Sequence, residues 1–233
     1  MIREAIILAG GLGTRLRPAV PDLPKCMAPV GGQPFIAYLT DHFRRAGIRR
    51  FIFALGYKHD AFEEFFRTQF PDGGYSVSLE EEPLGTGGAI RQACTLATEE
   101  TVLILNGDTF YDIELDALSA FHHEKDADCS LCLKSLQDFD RFGVVEVDSD
   151  QRVRLFREKQ YYPEGLINGG VYALDRDRFL HEDLPAKFSF EKDYLEKVLD
   201  TRRIYGIRQD RYFIDIGIPE DYRRIQHEIN HLL

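Results

Sequence analysis

Cysteine is scarce: the 233 residues hold four, at 26, 94, 129 and 132. That is too few and too scattered for a disulfide framework in a chain of this length, so reduced thiols are expected. Basic charge is short as well. Lys and Arg number 29 against 39 Asp and Glu, a formal net charge of −10. This argues against a nucleic-acid partner, because affinity for that backbone rests on clustered Lys and Arg. Any anionic ligand must then meet a local pocket of positive charge. Long apolar runs are missing too. The opening MIREAIILA is broken at once by glycines, so neither a secretory signal nor a membrane partner is expected, and a cytoplasmic location follows. Repeats, low-complexity tracts and long polar linkers are also absent, which predicts one domain over 1–233 and leaves a homo-oligomer open.

What is present is a 44% hydrophobic chain, long enough to bury a full core. Residues 3–9 and 101–106 are apolar without alternation, as strands buried on both faces of a parallel sheet are. Strand-like 50–55 and 75–80 lie between them, interleaved with helix-like 35–46, 58–69 and 88–97. Strands alternating with helices predict an α/β fold of Rossmann-like design, mainly a parallel sheet flanked by helices. Phe35, Ile36, Leu39, Phe43 and Ala46 make a core stripe on the first helix, which should stop at Gly47. Past 126 the pattern changes to short strands at 128–136, 142–148, 152–158 and 167–174, with helices near 189–199 and 219–231. The second half is therefore a β-rich elaboration of the same sheet.

Two local patterns invite metal or redox readings. Cys129 and Cys132 have the spacing C-x-x-C, but residues three apart on a strand face opposite ways and no second pair exists, so buried thiols are expected. His122 and His123 sit on a helix with no ligand partners in view and read as a solvated face.

After the first strand comes LAGGLGTRLRP at 8–18. Its glycines let the backbone approach a ligand and present N–H groups, which suits a polyphosphate. The dinucleotide fingerprint would need glycine at Leu16, and the Walker loop a following Gly-Lys-Ser/Thr. Arg15 grips phosphate oxygens bidentately at any relevant pH, and Lys25 adds a second cation off the same strand end, where open α/β sheets bind ligands. Asp108 closes the apolar strand at 101–106, and Asp215 lies in the apolar FIDIG at 213–217, where an unpaired carboxylate is costly. Two such carboxylates suit a magnesium ion that also binds phosphate oxygens. Taken alone, Asp108 reads equally as a turn residue and Asp215 as a helix cap. Glu158 and Lys159 likewise read locally as a surface ion pair.

The segment 8–18 with PKCMAPV at 24–30 resembles the signature of the sugar nucleotidyltransferases, GGxGTRLRP followed by PKxMxPV. Further likeness runs through EEPLGTGG at 81–88, NGD at 106–108, FGVVE at 142–146, Glu158-Lys159, INGGVY at 167–172 and IDIG at 214–217, and so covers nearly the whole chain. The resemblance implies a nucleotide-binding half over about 1–125 and a sugar-phosphate-binding half over about 126–233. It implies transfer of a nucleotidyl group from a nucleoside triphosphate to a sugar 1-phosphate, with release of pyrophosphate.

Carried over by position, Arg15 and Lys25 would be the catalytic cations, with Asp108 and Asp215 on Mg2+. Leu8, Gly10, Gly11, Gly13, Thr14, Glu82, Gly85, Thr86 and Gly87 would bind the nucleotide. Gly143, Glu158, Lys159 and Asn168 would bind the sugar phosphate. Glu81-Glu82-Pro83, in place of a glutamine, looks like the guanylyltransferase form and favours GTP. The overall pattern most resembles the D-glycero-α-D-manno-heptose 1-phosphate guanylyltransferases, which serve surface glycans such as lipopolysaccharide or an S-layer. Mannose-1-phosphate guanylyltransferases and an N-acetylmuramic acid 1-phosphate uridylyltransferase share much of it. A nucleotide-sugar-binding regulator is the non-enzyme alternative, which the retained Arg15, Lys25, Asp108 and Asp215 disfavour.

Overall fold

The first strand, β1 (Glu4–Leu8), is buried along most of its length. In the computed structural model, which describes residues 1–11, 16, 20–56, 58–228 and 231, a hairpin of β2 (Pro29–Val30) and β3 (Gln33–Pro34) leads into helix α1 (Phe35–Arg45). Then follow β4 (Arg50–Leu55), α2 (Glu63–Gln69), β5 (Tyr75–Leu79), α3 (Gly85–Cys94) and β6 (Thr101–Asn106). Next come β7 (Thr109–Tyr111), α4 (Leu115–Glu124), β8 (Cys129–Phe139), β9 (Val145–Val147), β10 (Val153–Phe156), β11 (Tyr162–Asp175) and α5 (Arg176–Leu180). A π-helical turn at Phe190–Leu195 runs into α6 (Glu196–Val198), and β12 (Ile204–Arg208), β13 (Phe213–Asp215) and α7 (Pro219–His227) complete the chain.

Seven strands form one sheet in the order β12-β8-β11-β6-β1-β4-β5. β1 is parallel to β4 and β6, and β5 is parallel to β4. β11 runs antiparallel between β6 and β8, and β12 is parallel to β8. This is the expected Rossmann-like α/β fold, with the antiparallel element confined to the second half.

Alternate side chains of a strand face opposite ways, and both faces of this sheet are covered. Ile7, Phe51, Phe53 and Leu105 pack against Phe35 and Phe43 of α1 and Phe65 of α2. Ile6, Ile52, Ala54 and Ile104 pack against Ala89 and Ile90 of α3, Phe179 of α5 and Phe190. The α1 stripe ends as expected: Gly47 takes φ +112, a left-handed conformation that suits glycine, and its N–H reaches the Arg44 carbonyl at 3.1 Å.

Cys129 and Cys132 lie in the cores of opposite faces. All four cysteines are free and buried, and burial pushes the Cys94 thiol up to about 12. The solvated reading of His122 needs correction. Its Nδ1 lies 2.9 Å from Ser130 Oγ and only 5% of the residue is exposed, because α4 turns it onto β8; His123 alone stays on the surface. Among the described residues, no helix is long and apolar enough to cross a membrane.

The chain winds outward from β1 through β4 to β5, then returns to set β6 on the other side of β1. Open α/β sheets take ligands at the carboxyl ends of the strands where the order reverses in this way, here β1 and β6.

Candidate active site

Leu8 and Asn106 are register partners at the ends of β1 and β6, and the Gly107 N–H donates to the Leu8 carbonyl at 2.9 Å. The two chain segments leaving these ends form the floor of a cavity of about 840 Å³. Leu8, Gly10 and Gly11 line it from the first segment, Asp108 from the second, Gly85 and Thr86 from the start of α3, and Lys25 from the 3-10 turn Lys25–Met27. Gly13, Thr14 and Arg15 lie outside the described residues. Glu82 is exposed and is not part of the wall. Gly87 is turned to packing: its N–H donates to the Phe188 carbonyl at 3.0 Å, and a Cβ there would run into the Phe188 ring.

β13 pairs with β7 so that Asp215 stands opposite Thr109, the residue after Asp108. The Ile216 N–H donates to the Asp108 carbonyl at 3.0 Å and fixes that register. Two carboxylates from distant sequence are thus brought to one place, and the Lys25 ammonium pairs with the Asp108 carboxylate. Asp215 Oδ1 accepts from the Gly217 N–H at 2.7 Å, and Arg141 Nη2 stands 3.8 Å from Asp215 Oδ2. Burial, and then the Asp108 charge, push the Asp215 carboxyl above the usual carboxylate range against the pull of Lys25, Gly217 and Arg141. Neighbouring anions held at this cost are relieved by a cation. Among the described residues no group of three or more His, Cys, Asp or Glu is gathered as a metal cage. A hard cation held by these two carboxylates would draw its remaining ligands from water and substrate oxygens.

A second cavity of about 350 Å³ adjoins the first. Gly143, Glu158, Lys159, Asn168 and Asp215 all line it. At Gly143 a Cβ would stand 2.2 Å from the Arg157 carbonyl oxygen, so only glycine lets the 157–159 segment after β10 pass this close. Asn168 is fixed at both ends of its amide: Nδ2 donates to the Tyr172 hydroxyl at 2.8 Å, and Oδ1 accepts from the Gly170 N–H at 3.0 Å.

Among the wall residues to which sequence reasoning gave no individual role are three polar ones. Glu80 follows β5 into the large cavity, where its carboxylate accepts from the Leu84 N–H at 2.9 Å and burial raises its carboxyl above the usual range. A charge at the C-terminal end of a parallel strand was the available signal. His59 enters the same cavity from the turn after β4, with nothing in the local sequence to mark it. Glu191 lines both cavities, and its place in the π-helical turn could not be read from helical spacing.

The doubly wound α/β sheet thus places a lysine and two carboxylates at its switch-point crevice, where open α/β sheets bind ligands. The chain belongs to the nucleotidyl transferase family, whose model matches residues 4–231. It is 46% identical over 230 residues to the D-glycero-alpha-D-manno-heptose 1-phosphate guanylyltransferase of Aneurinibacillus thermoaerophilus, covering 99% of this chain and 100% of that one. To the Campylobacter jejuni protein of the same name it is 42% identical, covering 94% and 96% respectively. The crystal structure of HddC from Yersinia pseudotuberculosis superposes with a TM-score of 0.89 at 34% identity, over 98% of this chain and 100% of that one. A second HddC structure, complexed with GMP-PN, gives 0.88.

Proposed function

We propose that this protein transfers a guanylyl group from GTP to D-glycero-α-D-manno-heptose 1-phosphate, giving the GDP-heptose and pyrophosphate. The observation that carries the reading is the Lys25, Asp108 and Asp215 cluster, with Lys25 and Asp108 in the wall of the large cavity and Asp215 in that of the adjoining small one. The end-to-end similarity to proteins named as heptose 1-phosphate guanylyltransferases gives the specificity. The large cavity would take the nucleotide and the small one the sugar phosphate, so that the halves 1–125 and 126–233 each hold one substrate, apart from Glu191 in the large cavity and Asn106 and Thr109 in the small one.

In this reading a phosphate oxygen of the sugar phosphate attacks the α-phosphorus of GTP in line, the new O–P bond forms, and the bond to the pyrophosphate oxygen breaks. The nucleophile is already ionised, with a second pKa of about 6, so no general base is required. Catalysis is positioning plus charge neutralisation. Lys25, beside both carboxylates, would hold the α-phosphate and the charge growing on it. Arg15 would hold the leaving pyrophosphate. Asp108 and Asp215 would hold Mg2+, which when bound supplies positive charge to the phosphate oxygens. Guanine presents an N–H and an amino group along one edge, and the acidic Glu80 and Glu81 in the cavity wall are acceptors suited to it. Lys159 would meet the sugar phosphate, with Glu158, Gly143 and Asn168 around the ring.

The test is pyrophosphate release with Mg2+ across GTP, UTP, dTTP, CTP and ATP, each against heptose, mannose, glucose and N-acetylhexosamine 1-phosphates. Turnover with GTP and the manno-heptose phosphate, lost in Lys25→Ala, is the expected result. Turnover confined to another pair overturns the specificity, and silence throughout with retained nucleotide-sugar binding overturns the reaction.

A further inference from the structure

Glu191 stands at the boundary of the two cavities and lines both. Its carboxylate is anchored by hydroxyls. Oε1 accepts from Tyr172 at 3.0 Å, and Oε2 accepts from Thr86 at 3.1 Å and from Ser189 at 3.4 Å. The neighbouring Lys192 ammonium faces Glu158 at 3.6 Å. An ionised carboxylate has about four acceptor positions and donates nothing. With three hydroxyls bound, room remains for one further donor, and a phosphate oxygen brought to the same place would be repelled.

The anchors also show which substrate supplies that donor. Tyr172 and Ser189 line the small cavity. Tyr172 is 1% exposed, and its hydroxyl donates to Glu191 while accepting from Asn168 at 2.8 Å. On the side of the large cavity Thr86 is already used twice, donating to Glu191 and accepting from the Phe190 N–H at 2.8 Å. Oε2 already accepts twice and Oε1 once, so the open acceptor position is on Oε1, the oxygen held by Tyr172 of the small cavity. π-Helical turns occur often at functional sites, and this one carries Glu191 to the boundary.

We infer that Glu191 accepts a hydrogen bond from a ring hydroxyl of the sugar 1-phosphate and is a specificity-determining residue for the sugar. The inference rests on the two-substrate reading above. A charge-assisted hydrogen bond of this kind also gives discrimination, because a sugar lacking that hydroxyl leaves the carboxylate short of a partner.

The test compares wild type with Glu191→Gln, and with Glu191→Asp, which keeps the charge on a shorter stem. Steady-state constants are measured for GTP, for 2′-deoxy-GTP, and for a series of monodeoxy sugar 1-phosphates. Glu191→Gln should raise the sugar KM by about 10- to 100-fold and leave the GTP KM within about threefold. One deoxy sugar should already be poor for wild type and lose little more in the variant, since the same contact is then removed twice. If Glu191→Gln fails to fold, the same non-additivity is sought with Glu191→Asp. Equal losses for every deoxy sugar in both proteins overturn the inference, as does a loss that tracks the ribose of 2′-deoxy-GTP. A wild type that is silent with every pair overturns the functional reading and this inference with it, whereas an active wild type with an indifferent variant overturns the inference alone.

Discussion

Lys25 and Asp108, 83 positions apart in sequence, form an ion pair at the mouth of β1 and β6. Lys25 reaches it from a short 3-10 turn, and its side chain is only 15% exposed. It brings the positive charge that an acidic chain must supply locally to hold polyphosphate. Lys25→Ala should lower kcat by a factor on the order of 10²–10³, the usual result of removing one preorganised charge from a transferring group. The melting temperature should fall little, because a partly exposed pair contributes modestly to stability. Stopped or continuous pyrophosphate assays beside a thermal melt check both halves of the statement.

Asp215 is the more buried of the two carboxylates, and burial already works against its charge. Asp215→Asn should raise the Mg2+ concentration needed for half-maximal turnover by at least about tenfold, as loss of one of two protein ligands would. Chelation of divalent ions should abolish turnover of the wild type, and added Mg2+ should restore it. An unchanged Mg2+ dependence in the variant would remove Asp215 from the metal.

Gly143→Ala places a methyl group where the Arg157 carbonyl lies, 2.2 Å from the new Cβ. The 157–159 segment must move, and with it the Glu158 and Lys159 side chains that line the small cavity. The expected outcome is a sugar-phosphate KM raised by about tenfold or more with the GTP KM nearly constant, since Gly143 takes no part in the large cavity. Parallel increases in both constants would contradict the division of the site.

His122 carries a pH dependence of stability that is unrelated to catalysis. Burial, and then the Arg178 charge, lower its pKa from 6.5 to about 4, with Asp128 and Asp126 opposing. The unfolded chain therefore takes up a proton at a pH where the folded chain does not. Stability is full above about pH 6.5 and declines as pH falls toward 4, by about 3 kcal/mol at most. Urea unfolding at a series of pH values should show this slope in wild type. His122→Gln, which keeps a hydrogen-bonding group toward Ser130, should show less of it.

Much of this was legible in the sequence. The unbroken apolar residues of β4 and β6 gave both strands to the residue, because a strand buried on two faces leaves no polar position to blur its ends. Lys25, Asp108 and Asp215, singled out in the sequence, stand close together in the fold, but residue type alone leaves Asp108 equally a turn residue and Asp215 a helix cap, and the family resemblance is what assigns them a site. Other features depend on contacts between distant segments. β11 begins at Tyr162, five residues before the apolar run at 167, because its first part pairs with the polar end of β8 rather than with the core. α3 starts at Gly85, where propensity is poor, since the Leu84 and Phe188 backbones tie its first turn in place. The stretch read as one helix at 189–199 opens as a π-helical turn, which is what brings Glu191 to the boundary. His122 looked like half of an exposed pair because the pattern within α4 does not reveal that β8 lies beneath it.

The place of β11 in the sheet bears on how the protein is made. β6 has β1 on one side and β11 on the other, yet β11 ends only at Asp175, long after β6 has been synthesised. At about 5–20 residues per second, the nascent chain spends roughly 4–14 s with β6 as an open edge. An open edge of apolar strand invites pairing with another chain. During that interval the emerging polypeptide is open to self-association through β6, and the arrival of β11 closes that edge.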